Sequence, residues 1–415
     1  MTTPAADSRS TLIHAALDRP GDDPIFSLNA EALRRSRAGE EILNATLGAL
    51  MDDEGRLAIL PSVFEALRAV PPEAAAAYAP IAGPPRFLAA VVRDLFGEGP
   101  LGQASVAVAT PGGTGALHHA IVNFLEPGQA LLTTSYHWSP YQILAAHTGR
   151  RVETFRMFDG EGRIDLAALE RALRRQVQVQ GRALLILNTP CHNPTGYALD
   201  AREWREVLDL TNEIARSAPL ALAVDHAYAK FGRSGIEPWA RADGALDGDA
   251  VLLVAWTVSK SFAQYGARVG ALVACHRDDA ERRRIQNALS FSCRGTWSNC
   301  NHHGMLAITE LLSDPDLRAR SDAERERLRQ LLDQRVSAFN RHAARAGLRY
   351  PRYEGGFFVT VFTPDAERTA SRMRELGVFV VPLPGAVRVA LCSTPARDVP
   401  RLVEALRQGL EAAGG

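Results

Sequence analysis

Residues 257–270 read TVSKSFAQYGARVG, and this stretch lies between two short apolar runs, Val251 to Trp256 and Ala271 to Ala274. Apolar runs of this length are typical of fully buried strands. The sequence therefore predicts a short connection between two buried strands, and this connection carries two cations, Lys260 and Arg268. Because burying an unpaired charge is costly, each of these side chains is expected to have a partner or a chemical task.

Lysine is rare in this chain: Lys230 and Lys260 are the two lysines among 47 basic residues. A lysine amine can form a Schiff base with an aldehyde, and burial lowers its pKa towards a reactive value, whereas arginine stays protonated. Lys260 is therefore the candidate nucleophile, and the alternative is a structural ion pair at a strand end. Lys230 is expected to be an exposed lysine on a loop.

The composition is that of an ordinary globular protein, with 46% hydrophobic and 23% charged residues in a chain of 415. The 47 basic and 47 acidic residues cancel, so no broad basic surface for nucleic acid or membrane is expected. No apolar run approaches the roughly 20 residues that span a bilayer, and no secretory signal is visible. Five cysteines without metal-binding spacing favour reduced thiols and a cytoplasmic location.

Strands and helices alternate from Ser105 to Ala274, which predicts an α/β fold with a mostly parallel sheet and helices on both of its faces. Ligands of such sheets bind beyond the carboxyl ends of the strands. The candidate residues that follow the predicted strands are a glycine-rich turn with Gly113 and Thr114, and then Trp138, Asn193 and Asp225. Each of them alone also has an ordinary structural explanation, such as a tight turn or core packing.

The last hundred residues change in character, because a long arginine-rich helix over residues 322–347 is followed by short strands, 357–362 and 387–391. This pattern predicts a second, smaller α+β domain. Arg388 lies inside an apolar strand, so either an anionic ligand or a buried structural ion pair is expected beside it. The predicted division of the chain is an N-terminal arm (1–25), a segment that joins the small domain (26–55), a large cofactor-binding domain (56–312) and a small C-terminal domain (313–415).

Six motifs taken together resemble those of the class I aminotransferases of pyridoxal phosphate fold type I, in the branch of the aspartate and aromatic aminotransferases. The motifs are 78–83 (YAPIAG), 113–117 (GTGAL), 192–196 (HNPTG), 225–228 (DHAY), Ser259-Lys260 with 268–270 (RVG), and Arg294 with Ser298-Asn299. The resemblance covers nearly the whole chain, from Asp23 to Arg388. It implies a large domain with a mostly parallel, mixed sheet flanked by helices, a smaller α+β domain, and pyridoxal 5'-phosphate as the cofactor.

The resemblance implies catalytic roles for Lys260, Asp225 and Tyr228. Lys260 would form the Schiff base, the internal aldimine of the family, and would move the proton; Asp225 would pair with the protonated ring nitrogen. Tyr228 and Asn193 would hydrogen-bond the 3-oxygen of the ring, and Trp138 would stack on its face. The residues implied to hold the phosphate are Gly113, Thr114, Thr257, Arg268 and, from a neighbouring subunit, Tyr78.

The resemblance also implies how a substrate would bind. Arg388 would bind the α-carboxylate. Arg294 would reach across from the other subunit to a side-chain carboxylate, and Gly48, Asn193 and Trp138 would also contact the substrate. An obligate homodimer with shared active sites is therefore expected, with the N-terminal arm embracing the partner. The expected reaction moves an amino group between an aspartate-like amino acid, or a larger one with a distal anion, and a 2-oxo acid.

Several positions depart from the pattern of this family. Gly112 stands where a phosphate-binding serine is common, Tyr141 and Asn188 stand where histidines are common, and residues 300–303 (CNHH) stand where prolines are usual. These departures leave a second hypothesis open: elimination, replacement, cyclisation or decarboxylation with the same cofactor. A transcription regulator with an aminotransferase-like domain is a third, which the lack of a basic recognition helix disfavours. His302 and His303 are expected either to line the site or to cap a helix.

Overall fold

The computed structural model describes residues 10–21, 24–232 and 245–414. Parts of the predicted arm, residues 1–9 and 22–23, lie outside the described residues. The β-strands in chain order are β1 (Leu43–Asn44), β2 (Ser105–Thr110), β3 (Ala130–Thr134), β4 (Arg151–Phe155), β5 (Ala183–Asn188), β6 (Leu220–Asp225), β7 (Val251–Thr257), β8 (Gly270–Cys275), β9 (Phe358–Phe362), β10 (Val378–Phe379), β11 (Val381–Leu383) and β12 (Ala386–Ala390).

The α-helices in chain order are α1 (His14–Leu17), α2 (Pro24–Arg37), α3 (Pro61–Ala69), α4 (Pro72–Ala76), α5 (Pro85–Phe96), α6 (Pro100–Gln103), α7 (Gly112–Phe124), α8 (Pro140–His147), α9 (Leu166–Gln180), α10 (Ala201–Ala215), α11 (Val258–Ser261), α12 (Asp279–Thr296), α13 (His302–Ser313), α14 (Pro315–Arg345), α15 (Ala366–Glu375) and α16 (Val399–Ala412). Asp165 caps α9, as predicted, by accepting a hydrogen bond from the Ala168 N–H. Helix α14 begins earlier than predicted, because Asp314 caps it and Pro315 occupies its first position.

A seven-stranded sheet with the order β2-β8-β7-β6-β5-β3-β4 forms the centre of the fold. Strand β8 runs antiparallel to β2 and β7, and the other neighbouring strands are parallel. Along β5, Leu185 and Leu187 pack in the cluster that contains α9 and α10, whereas Leu184 and Ile186 pack in the cluster that contains α7. Because successive side chains point to opposite faces of a strand, helices cover both faces of the sheet, and the predicted α/β fold is confirmed.

The carboxyl ends of three strands place polar residues along one edge of this sheet. Asn188, Asp225 and Thr257 are the last residues of β5, β6 and β7. Strand β8 starts at this same edge because it runs in the opposite direction, and its first residue, Gly270, pairs with Thr257. The connection over residues 258–269 therefore also lies at this edge, and it carries the two cations that the sequence singled out.

A second group of elements belongs to the C-terminal part of the chain. Strands β9, β11 and β12 form an antiparallel sheet, and β1 pairs with β10. Leu43 and Leu50 pack in one buried cluster with Leu332 and Phe339, so this N-terminal segment lies against the C-terminal elements. The predicted domain boundaries stay a prediction.

Within the described ranges, no helix combines the length and the apolar character that crossing a membrane requires.

A fully buried arginine, Arg335 of α14, joins two distant segments of the chain. Its guanidinium group donates to the carbonyl oxygens of Cys392 at 2.7 Å and of Met51 at 2.9 Å, and it pairs with the Asp53 carboxylate at 2.7 Å. A buried cation without such partners would be strongly unfavourable. Sequence analysis did not identify this residue, because its partners lie far from it along the chain.

We expect the Arg335→Met substitution to lower the free energy of unfolding by about 1–3 kcal/mol, the usual cost of leaving a buried polar group unsatisfied. Methionine can fill much of the same space, but it cannot donate to the two carbonyl groups. Chemical denaturation at a fixed protein concentration measures the difference. Arg345→Met, at an exposed position of the same helix, is the control and should change stability by less than about 0.5 kcal/mol. Equal midpoints for the two variants would contradict the prediction.

Candidate active site

A cavity of about 210 Å³ lies at the sheet edge where β5, β6 and β7 end. All of the predicted cofactor residues line it, with the exception of Tyr78. The lining residues are Gly113, Thr114, Leu117, Trp138, Asn188, Asn193, Asp225, Ala227, Tyr228, Thr257, Ser259, Lys260 and Arg268. The fold thus gathers into one space side chains that are widely separated in the sequence.

One end of the cavity is suited to an anion. Helix α7 begins at Gly112, and the N–H groups in the first turn of a helix have no acceptor within the helix. The side chains of Thr114 and Thr257 and the guanidinium group of Arg268 line the same cavity. A helix terminus, hydroxyl groups and a cation are the kinds of group that bind a phosphate or a similar anion.

Arg268 is held in place by acceptors around it. Its Nη2 donates to the Pro111 carbonyl at 3.1 Å, and its Nη1 donates to the Tyr265 carbonyl at 3.0 Å and to Ser259 Oγ at 3.3 Å. Gly112 has a φ of +72°, and a Cβ atom at this position would overlap the Arg268 guanidinium group. The glycine therefore provides the space in which the arginine lies. Ser259, which sequence analysis did not assign to the site, could be suspected only from its position beside Lys260.

The other end of the cavity contains a buried carboxylate. The Tyr141 hydroxyl donates to Oδ2 of Asp225 at 2.8 Å, and the Ala227 N–H donates to Oδ1 at 3.3 Å. Burial raises the pKa of Asp225, while these two donors act in the opposite direction. Burial and the nearby carboxylate raise the pKa of Tyr141 well above its ordinary value, so the phenol remains a neutral donor. Trp138 contacts Tyr141 edge-on, with ring centroids 5.6 Å apart, and lines the cavity.

Asn188 connects two segments of the site through its side-chain amide. Its Nδ2 donates to the main-chain carbonyl of Asp225 at 2.8 Å, and its Oδ1 accepts a hydrogen bond from the Asn193 N–H at 2.6 Å. Asn193 in turn donates through Nδ2 to the Tyr228 hydroxyl at 3.3 Å. Asn188 therefore fixes the loop after β5 relative to the end of β6, which an asparagine can do because it carries both a donor and an acceptor.

The Lys260 amine lies between these two ends and faces aromatic rings. Its Nζ is 4.6 Å from the ring centroid of Tyr265 and 5.8 Å from that of Tyr228. Burial lowers the pKa of Lys260 to about 8. A substantial fraction of this amine is therefore neutral near physiological pH, which is the form that attacks an aldehyde. Within the described residues no carboxylate forms an ion pair with Lys260, so the alternative of a structural ion pair is not supported.

Arg388 and Gly48 are not among the residues that line this cavity. Arg388 is buried; its Nη2 donates to the Thr46 carbonyl at 2.6 Å, and its guanidinium group lies 4.5 Å from the ring centroid of Phe358. Its Nη1 is 3.5 Å from Oδ1 of Asn193, so it reaches the edge of the site. Gly48 packs against the same phenylalanine, and a Cβ at this position would lie 2.5 Å from Phe358 Cζ.

Tyr78 and Arg294 do not line the cavity of their own protomer. The Tyr78 residue is 91% exposed. Arg294 is exposed as well, and its Nη1 donates to Ser298 Oγ at 2.7 Å. Both residues were expected to act from the partner subunit, and that expectation stays a prediction.

Two expectations about residues outside the cavity are wrong. Lys230 is not an exposed loop lysine: its side chain is 17% exposed and pairs with the buried Asp94 carboxylate at 3.4 Å. His302 and His303 do not line the cavity of their own protomer, and neither of them caps a helix. Asn301 is the residue that caps α13, and each histidine instead bonds a main-chain carbonyl group of another segment.

The chain matches the family model described as aminotransferase class I and II over residues 40–406. The aromatic-amino-acid aminotransferase of Pseudomonas aeruginosa is 29% identical to this chain over 406 residues, which cover 95% of this chain and 98% of that protein. The similarity thus extends through nearly the whole length of both proteins.

Two solved structures agree with this match. The crystal structure of an aminotransferase from Anaerococcus prevotii superposes with a TM-score of 0.90 at 30% identity, covering 97% of this chain and 99% of that one. The aromatic-amino-acid aminotransferase of Burkholderia pseudomallei, covalently bound to pyridoxal phosphate, has a TM-score of 0.79 at 24% identity and covers 95% and 98%, which shows a shared fold. The chain therefore belongs to the aminotransferase class I and II family and is an enzyme of amino-group transfer.

Proposed function

We propose that this protein uses pyridoxal 5'-phosphate to move an amino group from an amino acid with a distal acidic group to a 2-oxo acid. The observation that carries the proposal is the position of Lys260, whose amine shares one cavity with an anion-binding helix terminus and with the Asp225 carboxylate. These three features suit a molecule that has an aldehyde, a phosphate and a basic ring nitrogen. When bound, this cofactor supplies an aldehyde that takes up the amino group and a ring that withdraws electrons.

The phosphate of the cofactor would be held at the start of α7. The N–H groups of Gly113 and Thr114, the Thr257 hydroxyl and the Arg268 guanidinium group are the proposed ligands. Support comes from the fixed position of Arg268, which keeps its charge at the cavity end without a carboxylate partner of its own among the described residues. A dianionic phosphate would then neutralise a cation that is already oriented, so little ordering of the arginine is needed on binding.

The ring of the cofactor would lie between Asp225 and Trp138. The Asp225 carboxylate would accept a hydrogen bond from the protonated ring nitrogen and hold the proton there. Asn193 and Tyr228, which already contact each other at 3.3 Å, would both donate to the 3-oxygen of the ring. The indole of Trp138 would cover one face of the ring and exclude water from it. These four residues therefore would orient the ring, and the Asp225 carboxylate would keep its nitrogen protonated.

Lys260 would have two tasks, to attach the cofactor and to move the proton. Because burial lowers its pKa to about 8, the amine is suited to acid–base work near neutral pH, and it would accept a proton from the substrate Cα and later return one. The nearest aromatic rings, Tyr228 and Tyr265, would limit the directions in which Nζ can swing. Lys260 and Tyr228, together with Asp225, are the proposed catalytic residues.

The substrate contacts support an amino acid with two acidic groups. Arg388 would bind the α-carboxylate beside Asn193, and Gly48 and Trp138 would border the space for the side chain. Arg294, which is exposed in its own protomer, would meet the distal carboxylate in the partner's site. The exposed Tyr78 would likewise contact the partner's cofactor phosphate. We therefore propose a homodimer with shared active sites.

We further propose that the enzyme works in the cytoplasm on small-molecule substrates. All five cysteines are free thiols in the structure, and four of them are buried: Cys191, Cys275, Cys293 and Cys392. Free thiols are the usual state of cysteine in a reducing compartment.

The pH dependence of cofactor attachment tests the role of Lys260. Only the neutral amine attacks an aldehyde, so the rate at which cofactor-free protein captures pyridoxal phosphate should rise with pH, reach half of its plateau at about pH 8 and level off above about pH 9. Borohydride reduction at each pH, followed by mass analysis of peptides, measures the captured fraction. A lysine peptide with an ordinary pKa of about 10.4 should continue to gain rate above pH 9. Lys260→Ala should abolish capture, and attachment at Lys230 would refute the assignment.

A second prediction concerns the Tyr141 hydroxyl. The Tyr141→Phe substitution removes a donor that lowers the pKa of Asp225, so this pKa should rise. As the pH falls, Asp225 should therefore become protonated at a higher pH in the variant than in the unaltered enzyme. Hydrogen bonds to charged groups contribute about 1.5–3 kcal/mol, so kcat should fall about tenfold or more, and most strongly at acidic pH. Tyr141→His, which restores a donor, should recover most of the loss. An unchanged pH profile in Tyr141→Phe would contradict this role.

The third prediction tests the substrate class. The Arg294→Ala substitution should cost about 2–5 kcal/mol of transition-state binding for a dicarboxylic amino acid, the range for breaking a buried charge pair. The measurement is kcat/KM with aspartate or glutamate and with an amino acid that lacks a distal acid. The kcat/KM for the amino acid without a distal acid should be almost unaffected. Arg283→Ala, at an exposed position of the same helix, is the control. An equal loss for both kinds of substrate would exclude a contact between Arg294 and a distal carboxylate.

A further inference from the structure

The first turn of α13 together with its cap, residues 301–304, bonds three main-chain carbonyl groups of other segments. Asn301 accepts a hydrogen bond from the Gly304 N–H through Oδ1 at 3.1 Å and thereby caps α13. Its Nδ2 donates to the Ala267 carbonyl at 2.8 Å. Ala267 directly precedes Arg268, so one side-chain amide links the start of α13 to the arginine at the anion-binding end of the cavity.

Packing at Gly304 keeps this turn close to the same arginine. A Cβ atom at Gly304 would lie only 2.6 Å from Cγ2 of Val269, and Val269 is fully buried. The main chain of the turn can approach the Arg268-Val269 segment only because residue 304 has no side chain. The hydrogen bond from Asn301 and this contact therefore act on two neighbouring points of one segment.

The two histidines of the turn bond to a different part of the chain. His302 donates through Nδ1 to the Ala77 carbonyl at 2.8 Å, and His303 donates through Nε2 to the Leu67 carbonyl at 2.8 Å. Ala77 directly precedes Tyr78, and Tyr78 is 91% exposed. Helix α4, which leads to Ala77, buries none of its five residues. Ala79, on the other side of Tyr78, is buried in the main hydrophobic cluster, so Tyr78 lies between a packed residue and the residue whose carbonyl group accepts the hydrogen bond from His302.

We propose that the 301–304 turn is a positioning element for the phosphate contacts of two active sites. Through Asn301 it orients Arg268 in its own protomer, and through His302 it orients Tyr78, which serves the site of the partner. This inference rests on the proposed function. Ordering both groups before the cofactor binds removes an entropic cost that the cofactor would otherwise bear. His302 and Asn301 would touch neither the cofactor nor the substrate.

A set of single substitutions in the turn tests the proposal. Asn301→Asp keeps the oxygen that caps α13 but removes the donor to Ala267. His302→Ala removes the donor beside Tyr78, and His302→Gln can supply a donor again. His303→Ala is the matched control, because it removes a bond of the same length to a carbonyl that is not next to a phosphate ligand.

The readout is the dissociation constant for pyridoxal phosphate, compared with that for pyridoxal, which has no phosphate. Losing one hydrogen bond should weaken pyridoxal phosphate binding about two- to tenfold in Asn301→Asp and His302→Ala. Pyridoxal binding should stay unchanged, His302→Gln should recover most of the affinity, and His303→Ala should bind both compounds normally. Equal weakening for pyridoxal, or equal weakening in His303→Ala, would show a general structural role and overturn the proposal.

Hybrid dimers separate the effect on the two sites. When a His302→Ala protomer pairs with a Lys260→Ala protomer, only the His302→Ala protomer keeps the lysine that attaches the cofactor, so its site is the intact one. This site receives Tyr78 from the partner, whose His302 is normal, and should retain its cofactor. When one chain carries both substitutions and its partner is unaltered, the intact site should lose its cofactor faster. Asn301→Asp should give the reverse result, because Arg268 serves its own protomer. The same retention in both arrangements would refute the assignment.

Two further variants show whether a negative result lies with the positioning role or with the proposed function. Arg268→Ala and Tyr78→Phe should each weaken pyridoxal phosphate binding more than pyridoxal binding. If they do so while Asn301→Asp and His302→Ala bind normally, the positioning role is wrong and the proposed function stands. If Arg268→Ala and Tyr78→Phe bind the phosphate form normally, then the proposed phosphate site itself is wrong.

Discussion

The carboxylate of Asp225, buried at the end of β6, is the constraint on which the arrangement of the site depends. A buried carboxylate without donors would take up a proton, because burial favours the neutral form. Here the Tyr141 hydroxyl and the Ala227 N–H oppose that tendency. A phenol does so without bringing a positive charge, so the full negative charge of Asp225 remains available to a cationic partner in the cavity. Asn188 fixes the main chain of Asp225 and so fixes the direction of that charge.

The reversal of the chain between β7 and β8 supplies the opposite charge. In a purely parallel sheet the strand after β7 would have started at the far edge. Because β8 is antiparallel, the connection stays at the edge where the other strands end, and it brings Lys260 and Arg268 with it. The two cations then have different environments. Arg268 bonds carbonyl groups and keeps its charge, whereas burial makes the Lys260 amine easier to deprotonate. One connection thus provides a permanent cation and a titratable amine.

Sequence analysis located most of the residues that line the cavity, because apolar runs mark buried strands and the polar residues after each run lie at the carboxyl edge. Asp225, Asn193 and Lys260 could be found in this way. The predicted first and last residues of strands were less accurate. Strand β12, for example, was expected at 387–391 and spans Ala386–Ala390. The hydrogen bonds between strands determine where a strand ends, and the sequence does not show them. The pairing of Lys230 with Asp94, the burial of Arg335 and the contacts of His302 could not be predicted. Each depends on partners far along the chain, which no local pattern specifies.

The close contact between Gly112 and Arg268 has a consequence for sequence variation. A side chain at position 112 and the guanidinium group in its present place exclude each other, since a Cβ atom there would overlap it. Substitutions at these two positions should therefore be non-additive: a serine at 112 is tolerated only if the arginine moves, and moving it changes its bonds to Pro111 and Tyr265. Position 112 and Arg268 should therefore be epistatic. Because the overlapping atoms are the far end of a flexible side chain, a serine at position 112 requires a shift of the guanidinium group but no second substitution.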